Sequence, residues 1–295
     1  MDVTQMLPLF FLQILMNGLF LGMLYALMAI GLSLCLGVLK ILNIPHGSFI
    51  LLSCYFTYFL FHIYGLDPLI SIAILFPLFF FIGIPFQKFI AFSVRRGTVE
   101  SILILGFAIT GVIENALLLI WRATGRAVRT SYSTYSITIG DIIIPTIYVI
   151  GLVVSIFALS MLYLFLTKTY TGKAIRSVSQ DPEIASVFGV NINKIRWIAY
   201  GLSVALSAVA GAIFSMIFPF QPFSDITYLT KSLTVVVLGG LGSISGTLIG
   251  GLVLGLAECL TGGTLGIGYQ NLIGLIVFLI VLTFKPKGLF GKYVE

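Results

Sequence analysis

Charge is what this sequence has least of. Only 9% of its 295 residues are Asp, Glu, Lys or Arg, against roughly 25% in an ordinary soluble domain. Hydrophobic residues make up 59%, and the mean hydropathy is +1.14. A water-soluble fold needs enough polar surface to cover its core, so this composition excludes a soluble globular enzyme and a disordered chain. Cysteine is also scarce. Cys35, Cys54 and Cys259 are odd in number and set in apolar runs, which excludes a disulfide framework. The two histidines, His46 and His62, have no Cys or carboxylate at ligand spacing, so no metal site is expected. No G-x-x-x-x-G-K-[ST] loop occurs. Gly172-Lys173 and Gly291-Lys292 have Thr167 and Pro286 where the first glycine belongs, and are followed by Ala174 and Tyr293. G-x-S-x-G is missing too. The chain is therefore expected to carry no nucleotide cradle, no resident cofactor and no soluble-type active site.

What the sequence has is long apolar runs, at 3–39, 44–66, 68–87, 101–120, 142–166, 197–218, 228–260 and 271–284. About 20 such residues cross a bilayer as a helix. Transmembrane β-barrels alternate apolar and polar residues, and these runs do not. The expected fold is an all-α integral membrane protein: one polytopic bundle over 1–295, with about eight transmembrane segments and at least one short or re-entrant. The run 3–39 is either one long tilted helix or a span plus a broken piece. No Lys or Arg precedes Lys40, so a removable signal peptide, which needs a basic start, is not expected.

Net charge is +6, and the basic residues lie in short loops, so the excess reads as membrane topology rather than nucleic-acid binding. Segment 167–196, with Lys168, Lys173, Arg176, Lys194 and Arg196, and the tail, with Lys285, Lys287 and Lys292, both read as cytoplasmic. An even number of crossings must then separate them, which requires 228–260 to split at Gly239–Ser243 into a hairpin. Loop 88–100, with Lys88, Arg95 and Arg96, is expected inside. Loop 121–141 and the N-terminus are expected outside, although Arg122, Arg126 and Arg129 sit poorly there.

Segment 172–196 writes a short helix over 182–188. Asp181 is a good N-cap, Pro182 fits the first position, Glu183 suits the positive dipole end and Gly189 suits C′. Ile184, Val187 and Phe188 share one face. So short a helix needs a surface to bury that face: its own protein, the bilayer, or a partner into which it inserts as a peg. Asn43, Pro45, His46 and Gly47 follow a long apolar run. They are either a helix broken at membrane depth, lining a route, or a plain cytoplasmic turn. Glu114 and Asn115 lie inside the fourth span, where a charge costs about 2.5–3.5 kcal/mol on insertion scales. They should face a partner or a wet cavity, in a gating, structural or substrate-contacting role. Glu258, near the end of its span where snorkelling outward is cheap, joins Asn43, His46, Glu114 and Asn115 as a pathway or gating candidate, with a structural role favoured for it. Gly239, Gly240, Gly242, Gly246 and Gly250 allow close helix packing, either within the subunit or between subunits. Phe220-Gln221-Pro222-Phe223 is expected at an external docking surface or gate.

These features resemble a known family. Asn17-Gly18, Tyr25-Ala26-Leu27, Gly31-Leu32, Asn43-Ile44-Pro45-His46-Gly47, the block from Gly172-Lys173-Ala174 through Asp181-Pro182-Glu183 to Gly189-Val190-Asn191, Val237-Leu238-Gly239-Gly240-Leu241-Gly242-Ser243 and Pro286-Lys287-Gly288-Leu289-Phe290-Gly291 occur in order over nearly the whole chain. The chain resembles branched-chain amino acid ABC transporter permeases of the LivH type. It departs from them in having Pro45 where a small residue is usual, and no proline in Val94-Arg95-Arg96-Gly97.

The resemblance implies a non-enzymatic subunit forming half of a pathway for branched-chain or other small amino acids. It implies a second, paralogous permease, two ATPase subunits that carry the ATP and Mg and bind at 182–188, an external substrate-binding protein, and a prokaryotic cytoplasmic membrane. The alternatives are a urea or amide permease of the same class and an ion-gradient-driven carrier. The carrier would more often show inverted repeats and matched intramembrane charges, and no internal repeat is visible in the sequence.

Overall fold

In the computed structural model, which describes residues 3–94, 99–285 and 288–290, the chain is a helical bundle. Arg95, Arg96 and Gly97, and Pro286, Lys287, Gly291 and Lys292, lie outside the described residues. Among the described residues, eight helices are long and apolar enough to cross a membrane. The run 3–39 is a single helix, α1 (Val3–Leu39), stopped by Lys40 in the left-handed region at φ 55°. After it come α2 (His46–Tyr64), α3 (Pro68–Val94) and α4 (Val99–Trp121).

The expected span 142–166 begins later than the hydropathy suggests. Ile142–Pro145 is a strand, β2, paired antiparallel with β1 (Ser136–Ile139), and α5 (Thr146–Lys168) follows. The β-branched isoleucines favour the strand, and Gln13 of α1 clamps it, bonding the Ile143 N–H at 3.0 Å and its carbonyl at 2.8 Å. The basic loop before the hairpin also has partners. Arg126 donates to the Tyr58 hydroxyl at 2.8 Å, lies over that ring at 5.1 Å and pairs its backbone with Phe220. Cation–π contact and a hydrogen bond hold this arginine at its end of the bundle, whichever way the loop-charge bias points.

α6 (Tyr170–Gln180) and α7 (Pro182–Val187) cap the opposite end. α8 (Ile192–Ile217) then recrosses, starting earlier than the expected 197, because Asn191 caps it by accepting from the Lys194 N–H at 3.0 Å. α9 (Asp225–Gly239), α10 (Ile244–Thr264) and α11 (Gln270–Phe284) complete the bundle. The break between α9 and α10 falls at Gly240–Ser243, as parity requires, and the 15-residue α9 is the short segment.

The packing has an order that the sequence does not display. α1 packs on α10 as α3 packs on α8. α2 lies against α8 as α9 lies against α1. α4 sits beside α2 and α3, and α11 beside α9 and α10. Each unit of four, α1–α4 and α8–α11, runs in the opposite sense to the other, so the fold is an inverted repeat. The short members match in detail. A turn closed by His46 N–H to Asn43 carbonyl (3.2 Å) precedes α2, and one closed by Ser224 N–H to Gln221 carbonyl (2.9 Å) precedes α9. A proline lies in each, Pro45 and Pro222. An absent repeat is therefore no argument against a gradient-driven carrier.

Candidate functional site

The first site is α7. Asp181 Oδ1 accepts from the Glu183 and Ile184 N–H groups at 2.8 and 3.0 Å, which fixes the helix start. Gly189 at φ 80° ends it. The helix stops at Val187, one residue short of the expected 182–188, because Phe188 already occupies the C-cap. Ala185 is buried and docks α7 onto the protein, whereas Ile184, Val187 and Phe188 are 57%, 84% and 81% exposed. Their apolar face is therefore not covered by the chain's own fold. Beneath α7, α6 turns Ala174, Ile175 and Val178 inward, with Thr169 as its N-cap.

The second site lies at membrane depth. His46 is fully buried, and its Nε2 donates to the Met28 carbonyl at 2.8 Å. That carbonyl can only accept, so Nε2 carries a proton. The Ser207 hydroxyl faces Nδ1 at 3.1 Å. Met28 lies about 16 Å back from the end of α1 at about 1.5 Å per residue, so α2 begins well inside the bundle and not at the level where α1 ends. Asn43, Pro45 and His46 are thus in a bend at depth, not in a solvated turn. α9 starts at the same level. Asp225 is 2% exposed, and its Oδ2 accepts from Ser48 at 3.0 Å. A Cβ on Gly47 would strike the Asp225 carbonyl, so the two half-helices meet N-terminus to N-terminus. Each N-terminus carries about half a positive charge, and the Asp225 carboxyl group sits where they meet.

Two charged residues of the site that sequence reading passed over are Asp225 and Lys231, both on α9. Glu258 does not snorkel. It is 1% exposed, because α10 continues to Thr264 and turns this carboxylate toward α9 and α1. Lys231 Nζ lies 2.7 and 3.0 Å from the Glu258 carboxylate oxygens and 2.6 Å from the Tyr25 hydroxyl, which itself donates to Glu258 at 2.5 Å. All three ammonium protons have acceptors, so the cluster is a saturated tie between α9, α10 and α1. One signal for it was legible: a lysine and a glutamate inside the single apolar run 228–260.

Glu114 is half-buried and makes no ion pair among the described residues, and Asn115 is exposed, donating to the Gly111 carbonyl at 2.7 Å. On the other side of α4, Ile102, Ile109, Ile113 and Leu117 pack inward. The structure does not bring Glu114 together with Glu258. The glycines pack within the subunit. A Cβ on Gly246 would meet the Gly239 carbonyl, and one on Gly250 would lie 2.5 Å from the Val235 carbonyl. Gly242, at φ 77°, lies against Gly37 of α1, and Gly240 makes the turn out of α9. Among the 220–223 residues, Phe220 is buried on Tyr55 and Tyr58, while Phe223 is 50% exposed.

A family model described as the permease component of branched-chain amino acid transport systems matches residues 14–282. The high-affinity branched-chain amino acid transport system permease protein BraD of Pseudomonas aeruginosa is 26% identical, over 96% of each chain. LivH of Escherichia coli, a permease protein of the same description, is also 26% identical over 96% of each. Among solved structures, PsaBC from Streptococcus pneumoniae in complex with Fab superposes with a TM-score of 0.52 at 17% identity, covering 94% of both chains, which shows a shared fold. With the multi-pass bundle and the family match over residues 14–282, this chain belongs to the branched-chain amino acid transport permease family.

Proposed function

We propose that this chain is the permease subunit of an ATP-driven importer of branched-chain amino acids in a prokaryotic cytoplasmic membrane. The family and the relatives' names support the substrate class. ATP and Mg belong to two partner ATPases. A second, paralogous permease supplies the other half of the pathway, and an external binding protein delivers the ligand. The observation that carries this reading is the exposed apolar face Ile184–Val187–Phe188 on a helix whose two ends are fixed by Asp181 and Gly189. An ATPase cleft that grips this peg would pass its closure through α6 and α8 to the bundle. The polar edge of α4 at Glu114 and Asn115, beside the meeting of α2 and α9, is our assignment for the pathway wall.

Uptake by the reconstituted transporter tests this. Leucine should accumulate in proteoliposomes only when ATP is present on the α7 side, and ionophores should leave the rate unchanged. Uptake driven by an ion gradient without ATP would refute the reading.

A further inference from the structure

The bend before α2 leaves polar groups in the apolar interior without partners. Asn43 is 4% exposed, and its Oδ1 accepts from the Tyr200 hydroxyl at 3.0 Å, but its Nδ2 has no acceptor among the described residues. Gln87 of α3 is 3% exposed, and its Oε1 has no donor among the described residues. Both residues line one small cavity, together with Tyr200, Cys35, Ile90 and Gly106. Its volume is about 10 Å³, the room one water needs. One orphan is a donor and the other an acceptor. The Tyr200 hydroxyl donates its only proton to Asn43 and keeps a lone pair free.

We propose that this cavity is a binding site for a single structural water. The water accepts from Asn43 Nδ2 and donates its two protons to Gln87 Oε1 and the Tyr200 oxygen. Three partners match the usual valence of a buried water. Without it, two buried polar groups lose the hydrogen bonds they had in the unfolded chain, at a cost comparable to a core mutation. With it, the bend at residues 40–45 is tied to α3 and α8 at one point. Irregular backbone at this depth persists only where such partners are supplied.

The site is distinct from the saturated Lys231–Glu258–Tyr25 cluster and does not depend on the substrate assignment. The first test is a map of the assembled transporter at a resolution that shows single waters. One peak should lie within hydrogen-bond reach of Asn43 Nδ2, Gln87 Oε1 and the Tyr200 oxygen. An empty cavity, or a direct Asn43–Gln87 contact that closes it, overturns the proposal. The second test is a thermal double-variant cycle with Asn43→Leu and Gln87→Met in the assembled transporter. The two side chains make no direct bond among the described residues, so the cycle reads whether they are coupled, and the map decides whether a water carries that coupling. The double variant should lose clearly less Tm than the two single losses added together. Additive losses would show independent sites and refute the bridge.

Discussion

Removing the Glu258 charge should destabilise the bundle by a definite amount. In Glu258→Gln the Lys231 ammonium loses its counter-charge in a site where its side chain is only 17% exposed. Breaking a buried pair from one side costs about 3–5 kcal/mol, and an unpaired lysine near the middle of a span costs about 2.5–3.5 kcal/mol on insertion scales. The residual exposure of Lys231 and the surviving Tyr25 hydrogen bond place the loss near the lower figure, about 3 kcal/mol. At about 2 °C per kcal/mol, the Tm should fall by about 6 °C. Lys231→Met combined with Glu258→Gln removes both charges, and replacing both partners of a buried pair is often neutral. The double variant should therefore recover most of the loss. The assay is thermal unfolding of the purified, assembled transporter in nanodiscs, all variants at one protein and lipid concentration. An unchanged Tm in Glu258→Gln, or a double variant worse than either single, would refute the argument that this pair ties α9 to α10.

Four further outcomes follow from the same geometry. Asp181→Ala removes the acceptor for two N–H groups at the start of α7, so it should cost about 1 kcal/mol locally and lower transport more than it lowers Tm, read by uptake against thermal unfolding. Gly246→Ala places a methyl group on the Gly239 carbonyl and should lower the unfolding free energy by about 1–3 kcal/mol through forced separation of α9 and α10; wild-type thermal stability would contradict that packing. Ser48→Ala leaves buried Asp225 without its hydroxyl donor and should cost about 1–3 kcal/mol, visible as a Tm loss that Ser48→Thr largely restores. Phe223→Ala should slow uptake while leaving Tm unchanged, since this ring is half exposed beside buried Phe220; normal uptake would remove Phe223 from any docking or gating role.

The span inventory was legible because hydropathy reports burial in lipid directly. The α9–α10 break was legible because parity of crossings forces it and Gly239–Ser243, with three glycines near the middle of the run, offers turn chemistry there. Other features were not legible, for physical reasons. Residues 44–66 read as an ordinary span, and nothing in their hydropathy says that α2 starts inside the bundle. Only the contact of His46 with Met28 shows that. The inverted repeat is carried by backbone path and helix pairing, and the two halves share little beyond Pro45 and Pro222. α6 was hidden because Lys173 and Arg176 mark it as a loop, while Ala174, Ile175 and Val178 turn inward. Glu258 was misplaced because distance from the end of an apolar run is a poor guide to direction. Its partner Lys231 sits 27 residues earlier in the chain and one helix away.

The central claim is that α7 is the place where ATPases grip this chain. The most direct measurement is co-purification of the chain with its operon's ATPases, for the native sequence and for Ile184→Asp with Phe188→Asp. Both side chains are exposed, so the variant should fold and keep its Tm. The account predicts that ATPases come down with the native chain and are lost from the variant. Equal recovery with both, or with neither, would contradict it.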